Sequence, residues 1–181
     1  MTATPTARPN GLFVVAFPKL AESDLALLTD LRARHHLAEV WLIGPHITFI
    51  FQQPHDREAV LAAALSKVSD ATPAFDMVLR RTTLHVDPGA AYAFVEPQEG
   101  REPALALYRA LNEAAGIDLA GVPGYSPHIT IGKSASAQEM RDVLQKLRRA
   151  EFAMPARIDT LSLIDVSMGR MQVLGEARLG S

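Results

Sequence analysis

Two short segments of this sequence, 45–49 and 127–131, carry the same pair of polar side chains. Both read Pro-His-Ile-Thr followed by a large apolar residue, and His128 comes about eighty residues after His46. Side chains alternate between the two faces of an extended strand, so a histidine and a threonine two positions apart point to the same side. Each segment therefore presents one imidazole and one hydroxyl together.

The other side of each strand is expected to be apolar. In the first segment we predict that Ile47, Phe49 and Phe51 point into the core, and in the second that Ile129 and Ile131 do so. A single histidine in a strand is more often structural than catalytic. The occurrence of two copies in matching contexts is what indicates a functional site.

Two histidines and two threonines in one cleft would suit the cleavage of a phosphodiester without a metal. The pKa of an unperturbed imidazole is about 6.5, so near neutral pH one ring can accept a proton while the other donates one. Each positioned proton transfer contributes about 10²–10⁴-fold to the rate. Thr48 and Thr130 could donate hydrogen bonds to the phosphate oxygens on which charge develops.

Other reaction classes lack their usual residues. The chain has no cysteine, which excludes thiol nucleophiles, disulfides and cysteine-bound zinc. No His-Glu-x-x-His pattern is present, and neither is a glycine-rich phosphate loop or a dinucleotide fingerprint. Ser126 does not lie in a Gly-x-Ser-x-Gly elbow. We therefore predict no metal site and no cofactor.

Composition and charge narrow the range of partners. The 181 residues are 48% hydrophobic and 21% charged, which is typical of a globular protein. The net charge of −2 argues against a protein that wraps long nucleic acid, but permits a small anionic substrate or the end of a chain. No signal-peptide pattern and no apolar run of about 18 residues occurs. We expect a cytoplasmic monomer that does not enter the membrane.

Helix and strand patterns are interspersed along the chain. Residues 1–10 show no periodicity and are expected to be a flexible segment, and residues 11–181 are expected to form a single domain. Apolar residues recur at helical spacing in four segments, and about seven or eight strands lie around them. This arrangement indicates an α/β or α+β fold, and the repeated motif indicates two similar lobes.

The two His-x-Thr motifs resemble those of the two-histidine (2H) phosphoesterase superfamily, and most closely its bacterial 2′-5′ RNA ligase/RNA 2′,3′-cyclic phosphodiesterase branch. Tyr125, three residues before the second histidine, and Lys133, five residues after it, extend the resemblance, although that branch commonly has arginine at the second place. The sequence departs from the branch at 44–45, where an asparagine and an apolar residue are common, and at 51–54, where a Leu-Gly turn is usual.

This resemblance implies an α+β fold with two pseudo-symmetric lobes, each a small antiparallel sheet with helices on its outer face. The active cleft would lie between the lobes, with His46 and Thr48 facing His128 and Thr130. The implied activity is metal-independent hydrolysis of 2′,3′-cyclic phosphates on RNA or nucleotide ends, with 2′-5′ ligation as the reverse reaction. By the same analogy, His128 activates water and His46 protonates the departing ribose oxygen.

Two further residues are predicted to bind substrate. Tyr125 could stack on a nucleobase, and Lys133 could contact a phosphate. Arg80 and Arg81 are expected to be solvated. Two other interpretations stay open: an enzyme of this fold that acts on another phosphodiester, such as a 2′-5′ oligonucleotide or an ADP-ribose cyclic phosphate, and a non-catalytic module that binds RNA or a nucleotide.

Overall fold

The computed structural model describes residues 10–35, 42–120 and 124–180. The N-terminal segment predicted to be flexible lies outside these ranges, except for its last residue. The strands are β1 Gly11–Ala16, β2 Lys19–Leu20, β3 Ile47–Gln53, β4 Phe75–Asp87, β5 Ala90–Glu99, β6 Ile129–Ser134, β7 Met154–Ile158, β8 Thr160–Ser167 and β9 Arg170–Arg178. The helices are α1 Glu22–His35, α2 Glu58–Ala71, α3 Arg101–Ala114 and α4 Ala137–Arg149, with a short 3₁₀ helix at His55–Arg57.

The strands form two antiparallel sheets. One has the order β3-β1-β8-β9 and the other the order β2-β7-β4-β5-β6. Helices α2 and α3 pack on the first sheet, and α1 and α4 pack on the second. This confirms an α+β architecture in which each of two sheets carries helices on one face.

The two sheets place their motif strands in equivalent positions. β3 lies at the edge of the four-stranded sheet and pairs with β1, and β6 lies at the edge of the five-stranded sheet and pairs with β5. The chain crosses between the sheets more than once. β2 and α1 follow β1 but belong to the other sheet, where α1 packs against β6, and α3 follows β5 but packs against β3.

The helix-bearing faces of both sheets share one apolar core. Buried residues from β1, β3, β5, β6 and all four helices belong to a single cluster. A smaller cluster of Val15, Ile43, Ile164 and Val166 lies apart from it. Within the described ranges, the helices are too short or too polar to cross a membrane. The extent of the domain over 11–181 stays a prediction.

Candidate active site

The two motif histidines have the same local geometry. Each lies directly before the first residue of its strand, β3 or β6. Nδ1 of His46 is 2.7 Å from the carbonyl oxygen of Gly44, and Nδ1 of His128 is 2.7 Å from the carbonyl oxygen of Ser126. Because a carbonyl oxygen only accepts hydrogen bonds, both Nδ1 atoms carry a proton. Nε2 is therefore the nitrogen through which each ring gains or loses a proton.

A β-bulge directly after the threonine of β3 changes the face on which the later side chains lie. Thr48 and Ile50 lie opposite adjacent residues of β1, so Phe49 between them is an extra residue. Phe49 and Ile50 are both fully buried, whereas Phe51 is 49% exposed. The prediction that Phe51 shares a buried face with Ile47 is wrong, because the bulge reverses the alternation beyond it.

A bulge at the same position in β6 brings Lys133 to the face of the motif threonine. Thr130 and Gly132 lie opposite adjacent residues of β5, so Ile131 is the extra residue. Lys133 then lies opposite Tyr92. Without the bulge, the separation of five positions between His128 and Lys133 would place them on opposite faces. Lys133 and Phe51 therefore occupy equivalent positions in the two motifs.

Cross-strand pairing arranges the side chains on this face of the five-stranded sheet in three rows. Read from β4 through β5 to β6, the rows are Arg81, Glu96 and His128; Thr83, Phe94 and Thr130; and His85, Tyr92 and Lys133. His128 belongs to the first row because the residue after it, Ile129, pairs with Val95, the residue before Glu96 in the antiparallel partner strand. Arg81 therefore shares a face with the motif residues, although its side chain is exposed as expected.

A cavity of about 510 Å³ lies over these rows. The predicted site residues His128, Thr130 and Tyr125 line it, and Phe51 reaches it from β3. His46 and Thr48 are outside the described lining of this cavity. The structure therefore brings the second motif and Tyr125 together in one cavity, with the first motif strand at its border.

His46 contacts a residue that lines a second cavity, which lies on the four-stranded sheet. Its ring contacts the edge of Phe17, with 6.2 Å between the ring centroids. Phe17 lines a space of about 420 Å³ together with polar side chains of β8 and β9. Each motif histidine thus contacts an aromatic ring that lines a cavity on its own sheet, Phe17 for His46 and Phe94 for His128.

Tyr125 joins the second motif to the first. Its hydroxyl donates a hydrogen bond to the carbonyl oxygen of Thr48 at 2.8 Å, and its ring stacks on Tyr108 with 3.8 Å between centroids. Burial, and then the neighbouring Tyr108, raise the pKa of Tyr125 far above its usual value, so its hydroxyl keeps its proton. One ring face of Tyr125 is covered by Tyr108, and the rings of Phe51 and Tyr125 are nearly perpendicular with 6.3 Å between their centroids.

The environment of His128 favours the neutral imidazole. The ring of Phe94 stacks on it with 3.9 Å between centroids. Burial lowers the pKa of His128, and the charge of His85 lowers it further, while the Ser126 carbonyl and the Glu96 carboxylate act in the opposite direction. A ring with a lowered pKa is largely unprotonated at neutral pH, which suits the acceptance of a proton.

Glu96 is a buried carboxylate that the sequence reasoning did not single out. It is 6% exposed, lines the same cavity as His128 and lies next to it in the first cross-strand row. At the equivalent place beside His46 the chain has Phe17. In the sequence, Glu96 is recognisable as an acidic residue directly after the apolar run 91–95. This difference makes the two histidine environments electrostatically unequal.

Arg32 of α1 is a second residue that the sequence did not reveal. It is 1% exposed, and its two terminal nitrogens donate hydrogen bonds to the carbonyl oxygens of Thr130 at 2.6 Å and Ile43 at 2.8 Å. Ile43 lies just before the first motif, and Thr130 belongs to the second. The guanidinium group therefore links the backbones of the two motif regions.

Metal ligands do not converge in the part of the chain that the structure describes. No group of three or more histidine, aspartate or glutamate side chains is placed there to hold a metal ion. Glu96 and His85 act electrostatically on His128, and Arg81 lies opposite Glu96 in the first cross-strand row.

Comparisons with known proteins agree with this fold. A family model described as the 2′-5′ RNA ligase superfamily matches residues 18–170. A protein of Geobacillus kaustophilus (strain HTA426) named "Putative phosphoesterase" is 28% identical over 156 residues, which are 83% of this chain and 85% of that protein.

Solved structures show the same architecture at low sequence identity. The crystal structure of E. coli LigT in its apo form superposes with a TM-score of 0.61 at 16% identity, covering 97% of this chain and 100% of LigT. The structure of LigT complexed with 3′-AMP gives the same values. A further crystal structure, described as a phosphoesterase, has a TM-score of 0.61 at 15% identity, covering 96% of this chain and 99% of its own.

The paired sheets and their helices are therefore those of the LigT-like fold. Because the family model spans most of the sequence, the chain belongs to the 2′-5′ RNA ligase superfamily, the two-histidine phosphoesterases. This confirms the resemblance that the two His-x-Thr motifs indicated.

Proposed function

We propose that this protein is a metal-independent phosphodiesterase that hydrolyses 2′,3′-cyclic phosphates on RNA or nucleotide ends. His128 accepts a proton from the attacking water, and His46 donates a proton to the departing ribose oxygen. Thr48 and Thr130 donate hydrogen bonds to the non-bridging phosphate oxygens. Tyr125 and Lys133 contact the substrate beside the phosphate.

The observation that carries this proposal is the matched orientation of the two imidazoles. Both Nδ1 atoms donate to the carbonyl oxygen two residues earlier, at 2.7 Å in each case. Such a bond fixes the ring and leaves proton exchange to Nε2. A mechanism with one general acid and one general base requires two positioned imidazoles. One ring held in this way in each of two similar sheets would meet that requirement.

The direction of proton transfer is supported by the difference between the two environments. Burial lowers the pKa of His128, so its ring is neutral and ready to accept a proton from water. When the ring becomes charged during the reaction, the nearby carboxylate of Glu96 stabilises the imidazolium. We therefore assign the role of base to His128 and that of acid to His46.

The hydrolytic step balances without a further reactant. The water oxygen bonds to phosphorus as its proton moves to Nε2 of His128. The bond from phosphorus to one ribose oxygen breaks, and that oxygen takes the proton of His46. The product carries a phosphate monoester and a free hydroxyl. When a ribose hydroxyl of a second RNA end attacks phosphorus in place of water, its proton moves to His128 and the departing ribose oxygen takes the proton of His46, which gives 2′-5′ ligation.

The size of the cavity and a ligand of a related protein both support a nucleotide-sized substrate. A cavity of about 510 Å³ falls within the range that small-molecule sites occupy, about 300–1,000 Å³. The related LigT has been crystallised with 3′-AMP. These two observations support a nucleoside phosphate as the minimal substrate.

The proposal is tested by an assay on 2′,3′-cyclic AMP and on a short RNA that ends in a cyclic phosphate, both in EDTA. The double variant His46→Ala/His128→Ala is the matched control. We expect turnover by the wild type alone, and the position of the product phosphate identifies the ester bond that breaks. Turnover of neither substrate by the folded protein would favour another phosphodiester or a binding role instead.

A further inference from the structure

The large cavity continues beyond the residues that the proposed reaction uses. From His128 the aromatic surface passes to Phe94, whose ring is 5.9 Å from that of His85 and 6.1 Å from that of Tyr92. His85 and Tyr92 also contact each other, with 6.1 Å between centroids. Both line the cavity, and neither transfers a proton nor contacts the reacting phosphate in the proposed mechanism.

A cation lies beside the same end of the cavity, outside its described lining. Nζ of Lys133 is 5.6 Å from the centre of the Tyr92 ring, a cation–π distance that holds the ammonium group above the aromatic surface. The bulge at Ile131 is what brings this lysine to the cavity face. The His85 side chain is 53% exposed, so part of the aromatic surface is open to a ligand.

Aromatic side chains beside a cation are the elements with which proteins bind single-stranded nucleic acids. Bases stack on the rings and the cation contacts the backbone phosphate. The three residues form the third cross-strand row, and Thr130 in the second row separates Lys133 from His128. A chain whose end lies at His128 and Thr130 would therefore pass over the third row.

We infer that His85, Tyr92 and Lys133 form a subsite for the nucleotide that precedes the reacting end of an RNA chain. Its base stacks on the rings of His85 and Tyr92, and Lys133 contacts the phosphate that joins it to the terminal nucleoside. The preferred substrates are thus short RNA chains with a cyclic phosphate end rather than mononucleotides. This inference rests on the proposed function.

The test compares kcat/KM for 2′,3′-cyclic AMP with kcat/KM for an adenosine dinucleotide that ends in a 2′,3′-cyclic phosphate. The wild type should prefer the dinucleotide by roughly 5- to 150-fold, the range that stacking of one base on an aromatic ring provides. In Tyr92→Leu the ratio should fall toward one, and in Tyr92→Phe, which keeps the ring, it should persist. Val86→Ala, an exposed position next to His85 in β4, should leave the ratio unchanged.

The salt dependence of kcat/KM tests whether Lys133 contacts a phosphate. The logarithm of kcat/KM for the dinucleotide should fall with the logarithm of salt concentration, and Lys133→Gln should make this slope shallower by about 0.7, as expected for one phosphate contact on a single strand. A slope that is the same in Lys133→Gln and in the wild type would contradict the phosphate contact.

The outcomes separate the subsite from the catalytic proposal. If the wild type turns over both substrates with equal kcat/KM, or if Tyr92→Leu keeps the preference, the subsite is wrong and the catalytic proposal stands. If neither substrate is turned over, the catalytic proposal is wrong, and calorimetric binding of 3′-AMP and of a dinucleotide with a 3′-phosphate decides the subsite. Tighter dinucleotide binding that Tyr92→Leu abolishes would support it, and equal binding would overturn it.

Discussion

The hydroxyl of Tyr125 donates a hydrogen bond to the backbone carbonyl of Thr48, which ties the segment before the second histidine to the strand of the first motif. Arg32 makes a second tie, from the carbonyl of Thr130 to that of Ile43. Both ties are made to backbone atoms of the motif regions. The relative placement of the two motifs therefore depends on two side chains that lie outside them.

Replacing Tyr125 by phenylalanine should destabilise the protein without removing the stacked ring pair. The Thr48 carbonyl loses its side-chain donor, and a buried polar group without a partner costs about 1–3 kcal/mol. Urea unfolding of Tyr125→Phe should show this loss in the free energy of unfolding. Tyr108→Phe keeps both the stack and the bond to Thr48 and should change the free energy less. Equal effects of the two variants would contradict a specific role for the bond.

Replacing Arg32 by methionine should cost about 2–4 kcal/mol in the free energy of unfolding. The variant keeps an apolar side chain of similar length but leaves the carbonyls of Thr130 and Ile43 without this donor. Arg34→Met on the same helix is the control, because Arg34 is exposed and pairs with Asp30 at the surface. Its effect should stay within about 0.5 kcal/mol. Similar values for both variants would show that the buried guanidinium does not link the motifs.

Removing the charge of Glu96 should shift the acid limb of the pH–rate profile. The carboxylate raises the pKa of His128, so Glu96→Gln lowers that pKa. A base with a lower pKa loses its proton at lower pH, and the rise of kcat/KM with pH therefore moves to lower pH. Glu99→Gln, an exposed position on the same strand, should leave the profile in place. An acid limb that stays or moves to higher pH in Glu96→Gln would refute this coupling.

The hydroxyl of Thr130 should contribute more to kcat than to substrate binding. Thr130→Val is close in shape but removes the hydrogen bond that we assign to the phosphate oxygen, and loss of one such donor lowers kcat by about 10²–10³-fold. Thr83→Val, in the same cross-strand row on β4, provides the comparison. Steady-state kinetics on 2′,3′-cyclic AMP gives both constants. A Thr130→Val variant that keeps its kcat would contradict the hydrogen bond that we assign from Thr130 to the phosphate.

The repeated motif is visible in the sequence, and the sequence alone was sufficient to predict the α+β composition and the family. These depend on local patterns, namely alternation around His46 and His128 and apolar spacing in the helices. The position of Phe51 could not be obtained in this way, because a bulge is defined by pairing with a strand distant in the chain. The same limit applies to the three cross-strand rows.

Glu96 and Arg32 illustrate the second limit. A glutamate within a strand and an arginine within a helix are ordinary surface residues by type. Only the folded chain shows that Arg32 is buried between two carbonyls and that Glu96 is buried beside His128. The helix α1 that carries Arg32 packs on a sheet whose motif strand lies about a hundred residues later, which no local pattern indicates.

The most direct test of the two-histidine mechanism is the pH dependence of kcat/KM on 2′,3′-cyclic AMP, measured in EDTA for the wild type, His46→Ala and His128→Ala. We expect a bell-shaped profile for the wild type, because His128 must be neutral and His46 protonated. The residual activity of His128→Ala should lack the acid limb, and that of His46→Ala should lack the alkaline limb. A rate that rises steadily from pH 5 to 9 in the wild type, or limbs that survive in both variants, would contradict the mechanism.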